Sequence, residues 1–511
     1  MGDLVILSGR PTNGASADVD MPAPKRQCWE CARRRLVCDY GTPSCKKCDK
    51  AGVTCPGYGD KKPLKWVGIG QVTSRPRRKK NQSSSCPEKK GVTTTPVTCE
   101  TQSSNQGWEE EWWNPPTPSE KFLVDENVIA VRAVSYFNQQ CLRDLMPVLE
   151  VVPDTPFLNP HPEDIIWVYS DTMRNILISL AIGHRIHSLM RNSTEYSVKD
   201  GWSRFYHFRG LAISHLSNEI SVKGDQVTLS TFLEIWMMIC LELRNCTSTW
   251  RYHADGINLL VKLRGGIRQL LDDQPIMKLI VLYYMIIIVI GNTTSPAWDQ
   301  LDTSEEGFVD LLAEIYPQGF YPSLLCPTEL FLNIFRINHL RAQAWNGVVL
   351  NGAAQSAAEE LLGRIESFSP EEHAASQSCA YDEWVLIGRI YQAAVALYCI
   401  SSLQSLLILP FSPELRIARI EKKATLFTLL KKALESRTVQ ICMLWPLIIA
   451  GAEARDGSAD LRAIVCRGLD NHALYQGTML PQLGKEILEQ FWESGSMQWD
   501  ECWSKPCVFV I

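Results

Sequence analysis

Six cysteines between residues 28 and 55 set the tightest limit on what this chain can fold into. They read Cys28-x2-Cys31-x6-Cys38-x6-Cys45-x2-Cys48-x6-Cys55, a three-cysteine unit written twice. Thiolates at such spacing are soft ligands that suit tetrahedral zinc. One tetrahedral zinc leaves two thiolates idle, and two separate zincs need eight ligands. Six thiolates serve two zinc ions when two of them bridge, and the twofold repeat nominates the first cysteine of each unit, Cys28 and Cys45. One ion then takes Cys28, Cys31, Cys38 and Cys45, and the other takes Cys28, Cys45, Cys48 and Cys55. A disulfide framework is the competing reading of an even cysteine set. It needs an oxidising compartment, and the opening MGDLVILSGR lacks the basic start, long apolar run and cleavage site of a signal peptide. Other zinc folds commonly recruit histidine, and none precedes His161. With few apolar residues around the cysteines, zinc binding and folding form one event, on the order of 10–16 kcal/mol per structural zinc.

The residues between the cysteines suggest a task. Ala32-Arg33-Arg34-Arg35 follows Cys31 as a short helix candidate, and the second unit carries Lys46, Lys47 and Lys50. Residues 21–90 hold 18 Lys/Arg against 5 Asp/Glu, whereas the whole chain is net −5, so the remainder is strongly acidic. A basic head on an acidic body is the charge layout of a nucleic-acid-binding protein. Arginine's fork can take guanine O6 and N7 together, and the lysines suit phosphates. The alternative is a merely solvated basic face.

The stretch QCWECARRRLVCDYGTPSCKKCDKAGVTC resembles the fungal binuclear zinc-cluster transcription factors, including Pro43 in the loop between the units. The resemblance implies a first helix in the DNA major groove reading a CGG-type triplet, with the reading pair on Arg34 and Arg35. It also implies a nuclear protein that acts on RNA polymerase II transcription with co-regulators or the transcription machinery. Two positions depart from the pattern: Ala32 and Val37 stand where basic residues are usual, which removes phosphate contacts and spares the base readers. Past the cluster, the basic hexamer RPRRKK supplies Arg75, Arg77, Arg78, Lys79 and Lys80 as a nuclear-import signal; the alternative use is extra phosphate contact.

Composition divides the remainder. Residues 1–24 and 61–118 read as disordered, the second a basic and then polar linker around the zinc-cluster domain at 25–60. Within it, GWEEEWW (107–113) is either a first contact with the following domain or an acidic-aromatic activation segment. No apolar heptad marks a dimerisation coiled coil, so monomer and homodimer stay open.

Residues 119–511 read as one large all-α body, with apolar residues at helical spacing and no strand-like alternation. LIVLYYMIIIVI (279–290) is too short for a membrane span and reads as a buried core helix; no membrane partner is expected. YFNQQCLRDLMP (Tyr136–Pro147), WRYHADGINLLVKLRGG (Trp250–Gly266) and LWPLIIAGAEA (Leu444–Ala454) resemble the fungal-specific transcription-factor domain in its second common version, which implies a regulatory half. Pro446 should kink or begin its helix, and Ala450-Gly451-Ala452 should admit a close neighbour.

No P-loop, G-x-S-x-G, H-E-x-x-H or dinucleotide fingerprint occurs, so an enzyme is not expected. His184 and His187 lie one turn apart, more as a core or surface pair than as metal ligands. The cysteines of the body, such as Cys240, Cys399 and Cys442, read as small core hydrophobes, with a redox sensor as the minority alternative. The reading is therefore a zinc-dependent, sequence-specific DNA-binding regulator, and the family resemblance implies a metabolic or secondary-metabolite pathway as its target. Its alternative is a zinc-dependent protein-interaction regulator without its own DNA site.

Overall fold

The computed structural model describes residues 27–34, 36–42, 44–56, 126–189, 195–223, 228–247, 249–304, 307–347 and 351–510. The expected linker at 61–118, the import signal at Arg75–Lys80, the 1–24 segment and the first residues of the expected body, 119–125, lie outside these residues. The chain divides into two units, Met1–Thr101 and Gln102–Ile511.

The first unit has two short helices, α1 (Trp29–Arg34) and α2 (Lys46–Asp49). Its buried core is the set Cys28, Cys31, Cys38, Cys45 and Cys48, with half-buried Cys55 packed against it. After α2 the chain turns at Gly52, whose φ of 62° is the left-handed conformation glycine adopts without strain.

The second unit is helical throughout, and no strand forms among the described residues. Among its helices are α3 (Glu126–Tyr136), α4 (Asp171–Leu189), α5 (Glu195–Lys223), α6 (Leu229–Arg244), α7 (Trp250–Leu263) and α8 (Lys278–Thr293). Then follow α9 (Thr328–Trp345), α10 (Tyr381–Ser405), α11 (Pro413–Glu435), α12 (Leu444–Glu453), α13 (Ala459–Gln476) and α14 (Leu480–Ser494). Local chemistry marks several starts. Thr228 caps α6 by accepting the Thr231 N–H, and Ser412 caps α11, where Pro413 takes the first helical position.

α8 is apolar on every side, so burial all round is the state that suits it. Every residue from Val281 to Thr293 is buried, as expected of the LIVLYYMIIIVI run. The helical stretch Pro275–Thr293, which extends α8 at its start beyond the apolar run and so is longer than the sequence suggested, and α10 are each long and apolar enough to cross a membrane, but 78% of each apolar window lies inside the body. The C-terminal end of α8 presents carbonyls that need partners. Arg341 of α9, fully buried, supplies them: Nη1 donates to Asn292 O (2.9 Å) and Nη2 to Ser295 O (2.9 Å). The same guanidinium meets the Tyr398 hydroxyl of α10 (3.0 Å) and the Asp500 carboxylate (2.8 Å). Trp445 Nε1 donates to Thr293 Oγ1 and Trp499 Nε1 to Thr293 O. Thr294 and Cys507 exchange hydrogen bonds, which seats the buried segment Cys507–Val510 against the end of α8.

Pro446 is the third residue of α12, in the first turn, where its missing N–H costs no intrahelical hydrogen bond. A Cβ on Gly451 would stand 2.3 Å from Leu488 Cδ1 of α14, so the close approach expected there is present. Glu453 ends the same helix buried, held by Arg419 (2.7 and 2.9 Å) and the Ser401 hydroxyl (2.5 Å).

His184 and His187 are a core pair. His184 Nδ1 meets the Tyr136 hydroxyl at 3.0 Å and His187 Nε2 meets Asn245 Oδ1 at 3.1 Å. Cys399 and Cys442 are fully buried. Burial pushes both thiols up to about 12, the opposite of the depressed pKa a reactive thiol has. Cys240 differs from the expectation in position: it is half-buried, on the wall of a cavity.

Candidate metal centre and nucleic-acid interface

α1 and α2 each begin at a cysteine pair, so one helical turn delivers two sulfurs to the same side. The Cys31 N–H donates to Cys28 Sγ (3.3 Å), while Cys28 O accepts the Ala32 N–H (2.9 Å). In the second unit Cys45 O accepts from the N–H groups of Cys48 and Asp49. The fold thereby brings together Cys28, Cys31, Cys45 and Cys48, all of whose sulfurs lie within 4.8 Å of one another. Cys45 also groups with Cys38 and Asp39.

The spacings fit a shared metal. Cys28–Cys45 is 3.7 Å, Cys28–Cys48 is 3.8 Å and Cys31–Cys45 is 3.6 Å. With Zn–S bonds of about 2.3 Å, the edge of a tetrahedral sulfur site is about 3.8 Å. These distances are far longer than a disulfide bond of about 2 Å, and all six thiols are free. Desolvation raises Cys28, Cys31 and Cys48, with Cys31 pushed up to about 12 and neighbouring sulfurs adding to the effect there. Without a cation, the crowded thiols keep their protons; a metal is what makes thiolates of them.

One positioning residue escaped the sequence reading. The Asp39 carboxylate accepts the Lys46 N–H at 3.1 Å, seven residues on, and so caps α2 from the first unit. This hydrogen bond is the main cause that holds Asp39 below the ordinary carboxylate range. Tyr40, with φ of 56°, makes the turn that lets Asp39 reach back. A cap contributed from outside the usual first-turn spacing leaves no local pattern; its only sequence signal is an acid directly after a cysteine ligand.

Around this cage the basic side chains of Arg34, Lys46 and Lys47 are exposed. Among the described residues no carboxylate pairs with Arg34 or Lys47, which leaves both charges available to a polyanion. Arg35 and the side chain of Arg33 lie outside the described residues. Ala32 is exposed, and Val37 is 77% exposed.

Comparison with known proteins matches both units. The Fungal Zn(2)-Cys(6) binuclear cluster domain matches residues 26–65, and the Fungal specific transcription factor domain matches residues 134–507. The chain is 31% identical over 515 residues to the phomenoic acid biosynthesis cluster-specific transcriptional regulator of Leptosphaeria maculans, covering 99% of this chain and 94% of that protein. A shorter similarity, 32% identity over 116 residues, links it to the acriflavine sensitivity control protein acr-2 of Neurospora crassa and covers 22% of this chain and 17% of that one. No solved structure matches the chain. Two zinc ions on six cysteines are the cofactor complement of the matched cluster domain, and the sulfur geometry of residues 28–55 suits them. With a zinc-cluster head and a helical regulatory body both matched, the chain belongs to the fungal Zn(2)-Cys(6) binuclear-cluster transcription factors.

Proposed function

We propose that the chain is a nuclear, sequence-specific DNA-binding regulator of RNA polymerase II transcription, built as a head at 25–60, a linker at 61–118 and a body at 119–511. The observation that carries this reading is the exposed basic set Arg34, Lys46 and Lys47 on a cage of converging cysteines. Cys28 and Cys45 bridge the two zinc ions in this reading. Cys28 lies within 3.8 Å of two cysteines of the opposite unit, Cys45 and Cys48, and Cys45 likewise of Cys28 and Cys31, which supports the assignment. Arg34 and Arg35 read a CGG-type triplet from the major groove, while Arg33, Lys46 and Lys47 hold phosphates. The import signal Arg75–Lys80 takes the protein to its target, and neither catalysis nor a membrane enters the reading.

The long relative is named for control of one biosynthetic gene cluster. Its similarity over nearly the whole of both chains supports a pathway-specific regulator here too, working through co-regulators.

Selection of bound sites from a random duplex library tests the reading. The zinc-loaded chain should recover one recurrent triplet. Arg35→Ala should lose that selection while its zinc content stays at two ions. Recovery of the same triplet by the variant would exclude the assignment of the reading pair. Absence of salt-sensitive binding to any duplex would favour a zinc-dependent protein-interaction role.

A further inference from the structure

The helical body contains a cavity of about 420 Å³, inside the range of roughly 300–1,000 Å³ typical of small-molecule sites. Its wall is mostly hydrocarbon and aromatic, with Leu177 of α4, Leu233 and Trp236 of α6 and Tyr283 of α8 among its members. At one side α3 runs on into a single π-helical turn, Phe137–Cys141, and both end residues of that turn line the cavity. Isolated π turns cost regular hydrogen bonding and recur at functional sites.

Arg244, the last residue of α6, is the sole charged side chain in the wall. Its Nη2 donates to Gln476 O at 2.5 Å, and among the described residues it has no carboxylate partner. Three other arginines of the body meet carboxylates instead: Arg209 pairs with Glu242 at 2.7 Å, Arg341 with Asp500 at 2.8 Å and Arg419 with Glu453 at 2.7 Å, whereas half-buried Arg462, like Arg244, bonds only carbonyls among the described residues. The half-buried Arg244 guanidinium borders an apolar space with no anion beside it, a place that a bound anion suits. Nothing else in the wall offers that charge. Burial holds the Cys141 and Cys240 thiols and the Tyr321 hydroxyl up at about 12 and lowers His161, so each is neutral near pH 7.

We propose that this cavity binds a hydrophobic carboxylic acid, its chain along α4, α6 and α8 and its carboxylate on the fork of Arg244. One guanidinium matches one monoanionic carboxylate, which it can grip through two parallel N–H donors. A phosphate ester, with a second charge, would find no second cation among the lining residues. The wall draws on residues from Phe137 to Gln476, so an occupant ties together parts of the body far apart in sequence.

Calorimetric titration of the full-length, zinc-loaded chain with dodecanoate and with uncharged dodecanol tests this. The measurement involves no DNA, so its outcome is independent of the reading of the head. Dodecanoate should bind saturably at one site and weaken by about tenfold or more in Arg244→Gln, the scale of a lost charge-assisted hydrogen bond. Dodecanol binding should change far less. Leu233→Trp, which fills the cavity and leaves the charge, should lose both ligands. Should Arg244→Gln not fold, Arg244→Lys decides in its place by weakening dodecanoate alone. No dodecanoate binding by the native chain, equal binding by the Arg244 variant, or full binding by Leu233→Trp overturns the proposal.

Discussion

Val37 presents an apolar side chain to solvent three residues past the arginine-bearing helix, at 77% exposure. A lysine there would add one cation to the basic head that carries Arg34. Val37→Lys is therefore expected to steepen the dependence of log K on log salt by about 0.9 and to leave the selected triplet unchanged. Affinities measured across salt concentrations check it; an unaltered slope would place residue 37 away from the phosphates. The neighbouring Asp39 acts in the opposite sense, as an acid inside a basic head. Its carboxylate is spent on the Lys46 N–H, so it fixes α2 and, with it, the direction of Lys47.

Among the elements, the end of α8 shows how a buried charge is made tolerable. Arg341 satisfies two carbonyls at the negative end of an apolar helix, then meets Asp500 and Tyr398. Arg341→Met should lower stability by about 3–5 kcal/mol, since Asp500 and the carbonyls would stay buried without their cation. The shift of the urea midpoint reads this, and a change below about 1 kcal/mol would mean the network contributes little. α8 itself was legible in the sequence because a continuous apolar run has few other destinations, and Pro446 and Gly451 were legible because each restricts the backbone or its neighbours locally. The six cysteines were legible because ligand spacing is itself a local code. Arg341 and Asp500, separated by 159 positions, carried no such signal. Neither did Arg244, whose meaning depends on a wall assembled from segments between Phe137 and Gln476. Periodicity reports which face of a helix is buried and is silent on which distant helix covers it.

For the molecule as a whole, buried imidazoles link stability to pH. Burial lowers His184 to about 3 and His187 and His472 to about 4. In the unfolded chain these groups take up protons near pH 6.5. The unfolded state then binds more protons than the native state below that pH, so native stability falls as the pH drops from about 6.5 toward 4. Each histidine contributes up to about 1.4 kcal/mol per pH unit across that window. Urea midpoints at successive pH values should decline steeply below 6.5 and be nearly flat between 7 and 8, and His472→Gln should make the decline shallower. The same body also depends on its final residues: Asp500 completes the pairing of Arg341, and Cys507 closes onto Thr294. The cysteine cage needs nothing beyond Cys55. During synthesis at roughly 5–20 residues per second, the ribosome takes on the order of 20–90 s to pass from one point to the other. For that interval the nascent polypeptide can carry a zinc-loaded head while its body still lacks a closed core. The apolar faces of the unfinished helices are then the surface most open to aggregation.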